Sequence, residues 1–237
     1  MSNWELIVPH VLKWEGGLGA DPNDAAIKNP ANNSGILMKT GNWKGYPIHT
    51  NKGIIFSTWQ AHCKKFGFDC SGTGFVNMTN AQWAKIVELI FWKGASLEKI
   101  NSQSIAELFF ETYWGSGGGG LQWLVKQTQI YLNKLQVAKL VEDGKIGVNT
   151  ISAINKFCEK KQDEKMLYDF LWFKRLAFYK SLKDWSNFGN GWNNRMIALY
   201  ERAKSFFGTH LTVSIGLIVI IGVLAFVGFK QYTKALW

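Results

Sequence analysis

Two carboxylates nine positions apart bracket a glycine-rich break early in the chain. Glu15 stands in Trp14-Glu15-Gly16-Gly17, and Asp24 closes Asp21-Pro22-Asn23-Asp24. Cleavage of a glycosidic bond asks for such a pair, a protonated carboxyl at the leaving oxygen and an ionised one serving as base or nucleophile. Glu15 is the candidate acid. Leu6, Ile7, Val8, Val11, Leu12 and Trp14 recur at helical spacing before it, and the two glycines stop the helix after it. It therefore falls at a helix C-terminus, where the macrodipole favours the protonated carboxyl that a general acid needs. Taken alone, a Glu before two glycines is also a common helix stop. The dipole effect is only about 0.3–1 kcal/mol, and the chain has 17 acidic residues.

The elements that must position this pair read as helices. Ser2 with Glu5 has the form of a capping box for the first, with Pro9 in its early turns. Residues 21–53 are dense in Asp, Asn, Pro, Gly and Ser and read as a long polar connection, of the kind that forms a lid or a cleft wall. Helices follow from Ile54, from Asn80 behind a Thr79 cap to Trp92, over 104–114 and over about 121–140. Gly115–Gly120 separates the last two as a linker or, given the flanking Trp114 and Trp123, a packed turn. Further helices cover 151–158, 163–183 and 192–207, and no stretch alternates with period two. The soluble part reads as all-α or nearly so.

Composition narrows the chemistry. The 237 residues carry a net charge of +10, which favours anionic partners: nucleic acid, anionic lipid or a cell-wall polymer. No basic helix or aromatic RNA-binding motif accompanies that charge, so no nucleic acid is expected. Three cysteines, an odd number without CxxC spacing, argue against both a disulfide framework and a zinc site. The four histidines show no HExxH pattern; no metal and no cofactor is expected. The 12 tryptophans suit core, membrane-interface and sugar-facing positions. Met1–Pro9 has no secretory signature. Leu211–Phe229 is uncharged and would span about 28 Å as a helix, close to a bilayer core. It is expected to be a single-pass transmembrane helix in contact with the lipid bilayer, and basic residues on both sides leave its orientation open.

Five motifs in order resemble glycoside hydrolase family 108, the muramidases of phages and bacteria. They are Glu15-Gly16-Gly17; Asp21-Pro22-Asn23-Asp24; Thr50-Asn51-Lys52-Gly53-Ile54 with Trp59; Asp143-Gly144-Lys145-Ile146-Gly147 with Thr150; and Phe188-Gly189-Asn190-Gly191-Trp192 through Arg195. The fourth resembles that family's peptidoglycan-binding-like region. The resemblance implies a lysozyme-like helical domain over 1–115, a helical peptidoglycan-binding-like region over 116–208, and an anchor with its tail over 209–237. It implies Glu15 as the catalytic acid, Asp24 and Thr50 as the residues that hold a water, and Trp114, Ser116 and Trp192 as substrate contacts. The activity it implies is peptidoglycan hydrolysis at the β-1,4 bond between N-acetylmuramic acid and N-acetylglucosamine, by a membrane-anchored phage lysin or a virion component that opens the wall.

The chain also departs from that pattern. Ala25-Ala26 and some two dozen further residues separate Asp24 from Thr50, where the family has Gly-Gly and then the Thr, and Gly115-Ser116-Gly117 lacks the family's amide. These departures leave open the alternative of a non-catalytic, membrane-tethered peptidoglycan-binding or structural protein that keeps the fold.

Overall fold

The computed structural model describes residues 1–207. Two compact units are defined by their internal contacts, Trp4–Gly94 and the residues from Ala95 onward together with Met1–Asn3.

In the first unit a 3₁₀ turn at Trp4–Leu6 leads into α1, Val8–Trp14. Pro9 sits in the first turn of α1, where a missing N–H costs nothing. The expected Ser2 cap is not made: Ile7 is the N-cap residue, and Ser2 belongs to the second unit, where its hydroxyl donates to the Leu97 carbonyl at 2.7 Å. Three strands of two residues each follow, β1 (Leu18–Gly19), β2 (Thr50–Asn51) and β3 (Ile54–Ile55), paired antiparallel in that order. Such strands are too short to print an alternating pattern, which is why the sequence reads as all-α. Lys52 and Gly53 make the two-residue turn between β2 and β3, both with positive φ, as the twist of a tight hairpin requires.

Helix α2 (Phe56–Cys63), the short α3 (Gly72–Val76) and α4 (Asn80–Val87) back this sheet. Thr79 caps α4 as expected: its Oγ1 accepts from the Gln82 N–H at 3.2 Å, and Gln82 Oε1 accepts from the Thr79 N–H at 2.9 Å. Trp59, Trp83 and Trp92 are fully buried, so these three serve the core. Trp83 also pins the sheet, its indole N–H donating to the Lys52 carbonyl at 2.8 Å. Against the expectation from an odd cysteine count, Cys63 and Cys70 form a disulfide, because the chain reverses after α2 and brings their Cα atoms to 5.4 Å. Cys158 is the buried free thiol.

The second unit is built on α5 (Gln103–Lys134), α6 (Val148–Phe157), α7 (Lys161–Ser181) and α8 (Trp185–Phe207). The glycine run does break the helical path, as expected: α5 is two helical segments joined across a kink at Gly117, which is non-helical (φ 66°, ψ −172°). Glu107 and Glu111, one helical turn apart on α5, are buried and each meets an arginine of α8. Arg202 Nε donates to Glu107 at 2.8 Å and Arg195 Nε to Glu111 at 2.7 Å. Glu164 on α7 is buried too, accepting from Ser102, Ser104 and Lys161.

The expected fold class is corrected in two respects. The protein is mostly helical with a small antiparallel sheet, not all-α. The expected transmembrane helix is unsupported: no helix among the described residues is long and apolar enough to cross a membrane. Residues 211–229, on which that helix and the bilayer contact were expected, lie outside the described residues.

Candidate active site

Glu15 is the C-cap residue of α1. It leaves the helical conformation (φ −82°, ψ 132°) while its N–H still donates to the Val11 carbonyl at 3.1 Å. The chain then runs through Gly16 and Gly17 into β1. Lys52 N–H donates to the Gly17 carbonyl and His49 N–H to the Gly19 carbonyl, both at 3.0 Å. In this register Gly19 faces Thr50. A Cβ on Gly19 would collide with Thr50 Oγ1, so the glycine is what lets the hydroxyl lie over the strand that follows Glu15.

Asp24 reaches the same strand pair from the other side of the sequence. It caps the 3₁₀ turn Ala25–Lys28, Oδ1 accepting from the Ala26 N–H at 2.8 Å. Its Oδ2 lies 3.2 Å from His49 Nε2. A carboxylate only accepts, so the imidazole N–H is the donor. His49 is 1% exposed and Asp24 43% exposed, so a buried ring holds a carboxylate that still faces solvent. The Ala26 N–H lowers the Asp24 pKa below its ordinary 3.8, and the hydrogen bond and charge of His49 act in the same direction, while partial burial opposes them. Asp24 is thus ionised at neutral pH, and contacts that favour its charged form contribute stability above pH 3.8 that is lost as pH falls through the lowered value.

The Asp24–His49 contact and the strand that begins with Thr50 make one corner, and β1, paired with that strand, begins three residues after Glu15. His49 was not legible as a site residue. It lies next to Thr50 in sequence, and no spacing or motif marks it.

The three expected substrate contacts lie in the second unit, and only two of them come together. Ser116 and Trp192 line a cleft of about 340 Å³ with Arg175, Phe178, Tyr179 and Arg195. Trp114 is not in its wall; its ring stacks on Phe110, with centroids 6.1 Å apart. Arg175, buried on α7, donates to the Tyr179 hydroxyl and the Glu111 carbonyl, both at 2.7 Å. The Asp143-Gly144 motif is a structural turn: Gln129 Oε1 accepts from the Gly144 N–H at 2.8 Å, and Gln129 Nε2 donates to Asp143 at 3.0 Å.

The His49–Asp24 pair gives a pH prediction. His49→Ala removes one of the contacts that hold Asp24 ionised, so the acid limb of the activity profile, expected below pH 3.8 in the native chain, should move upward. A pH–rate series on both proteins checks it, and an unmoved limb would dissociate Asp24 from the reaction.

The helical frame with its short antiparallel sheet carries one carboxylate just before and one just after its first strand in the chain. Residues 8–117 match the model of the family described as Glycosyl hydrolase 108, and residues 124–197 match that described as Predicted Peptidoglycan domain. The chain thus carries a glycosyl hydrolase 108 domain followed by that peptidoglycan domain, which indicates a glycoside hydrolase acting on peptidoglycan. Among solved structures it is similar to one titled "Structure of Brucella abortus SagA", with 23% sequence identity and a TM-score of 0.56, over 87% of this chain and 97% of that one. That likeness is one of fold. No curated protein matches the chain.

Proposed function

We propose that the protein is an N-acetylmuramidase that cleaves the β-1,4 bond between N-acetylmuramic acid and N-acetylglucosamine. Glu15 protonates the leaving oxygen, and Asp24 with Thr50 holds the attacking water. Within the second unit Ser116 and Trp192 contact substrate in the cleft they line, and Trp114 packs on Phe110. The observation that carries the reading is the Asp24–His49–Thr50 corner. It keeps one carboxylate ionised and solvent-facing, tied through His49 to the strand that pairs with β1. A water held between Asp24 and Thr50 on the far face of the sugar predicts inversion at the anomeric carbon.

Digestion of purified sacculi tests this. New reducing ends on N-acetylmuramic acid are expected, released initially as the α-anomer. Sacculi that bind the protein but yield no new ends would return the non-catalytic alternative.

A further inference from the structure

The stretch between Asp24 and Thr50, which lengthens this chain relative to the pattern it resembles, is not a slack loop. Residues 36–48 form a hairpin arm. The Ile48 N–H donates to the Ile36 carbonyl at 2.8 Å, the Met38 N–H to Tyr46 at 2.9 Å and the Gly45 N–H to Met38 at 2.9 Å. Its base is fixed: Ile48 is buried, the Ser34 N–H donates to the Ile48 carbonyl at 3.2 Å, and a Cβ on Gly72 of α3 would strike the Ser34 carbonyl oxygen.

Beyond that base the arm does the opposite of what an ordered loop needs for its own stability. Leu37, Trp43 and Tyr46 are 55%, 37% and 45% exposed. Among the described residues three large aromatic side chains are exposed, and two of them are Trp43 and Tyr46. Single exposed apolar residues are ordinary, but three gathered on one fixed arm mark a contact surface. The charge around them has one sign: Lys39 and Lys44 lie on the arm, and residues 25–68 contain no Asp or Glu. The returning strand of the arm runs directly into His49 and Thr50.

We infer that this arm is a binding platform for the glycan strand of peptidoglycan, extending the Asp24–Thr50 corner along the polymer. The faces of Trp43 and Tyr46 pack on the apolar faces of sugar rings, and Lys39 and Lys44 meet the carboxylates that peptidoglycan carries. The inference rests on the peptidoglycan-hydrolase reading, and its occupant follows from continuity with that site and from charge complementarity.

The test is pelleting with purified sacculi, using the full chain carrying Glu15→Gln so that binding is read without cleavage. Trp43→Ala with Tyr46→Ala should weaken binding about tenfold, and Trp43→Phe with Tyr46→Phe should largely retain it. Leu135→Ala, an exposed apolar residue elsewhere, should leave it unchanged. Lys39→Glu with Lys44→Glu is an independent second variant expected to weaken binding in the same direction, and thermal melts of all variants report whether they fold. Unchanged binding in both the aromatic and the lysine variants would overturn the inference. So would retained sacculus binding with lost binding to phosphatidylglycerol vesicles, which would assign the arm to a membrane surface. Failure of the hydrolase reading shows separately, as an absence of new reducing ends from the native chain.

Discussion

Glu15→Gln is expected to lower the rate of peptidoglycan hydrolysis by about 10²–10⁴-fold, the range that a positioned general acid contributes. The substitution keeps the size and shape of the side chain and removes the proton it donates. It should not unfold the protein. Glu15 ends α1 through its backbone N–H to Val11, an interaction the amide leaves untouched. A thermal melt beside the assay separates a lost fold from a lost acid: reducing-end release is expected to collapse in a variant that still folds. A variant that digests sacculi at the native rate would remove Glu15 from the mechanism and require another acid.

The largest effect on stability is expected from Arg202→Ala. Glu107 is 1% exposed, and both its oxygens accept from Arg202, at 2.8 Å each. Removing the guanidinium leaves a buried carboxylate with Gln103 Nε2, at 2.8 Å, in its place. Breaking a buried pair from one side costs about 3–5 kcal/mol, and the lower end applies because Arg202 is itself 26% exposed. Burial raises the Glu107 pKa above its ordinary 4.5; the hydrogen bonds from Arg202 and Gln103 oppose the rise, and the charge of Glu111 adds to it. A carboxyl raised in the folded state holds its proton more tightly there than in the unfolded chain. Its contribution is present in full below pH 4.5 and is lost as pH rises through the folded value. Removing Arg202 strengthens that rise, so the variant should lose more stability at pH 7 than at pH 4. Urea unfolding at the two pH values measures the difference, and an equal loss at both would show that the pair acts through packing alone.

Some of this was legible from the residues. Helices appear in a sequence as a 3.6-residue recurrence of apolar side chains, and α4 and α7 show it plainly, as does the Thr79–Gln82 cap, whose two partners are three residues apart. The strand corner was not legible. Two-residue strands carry no period, and the sheet is set by hydrogen bonds between residues some thirty positions apart, such as Gly19 with His49. The Cys63–Cys70 bridge was hidden for a similar reason: an odd count says that one cysteine is left over, not which two meet. Likewise the glycine run announced a break, but whether the chain turns or merely kinks depends on the helices packed around it.

The residue types and spacing of Glu15 and Asp24 by themselves determined only that two carboxylates bracket a glycine break; the ordered motifs around them supplied the chemistry as an expectation. What only the tertiary structure decided is how the surroundings of Asp24 and Thr50 are assembled. Asp24 and Thr50 lie 26 positions apart in the chain, and the buried His49 ring joins one to the strand of the other. The ionisation of Asp24 depends on the Ala26 N–H and on that imidazole, and the place of Thr50 depends on a glycine across the sheet. Electrostatic environment and close approach are properties of neighbours in space, and no local pattern of residues records them.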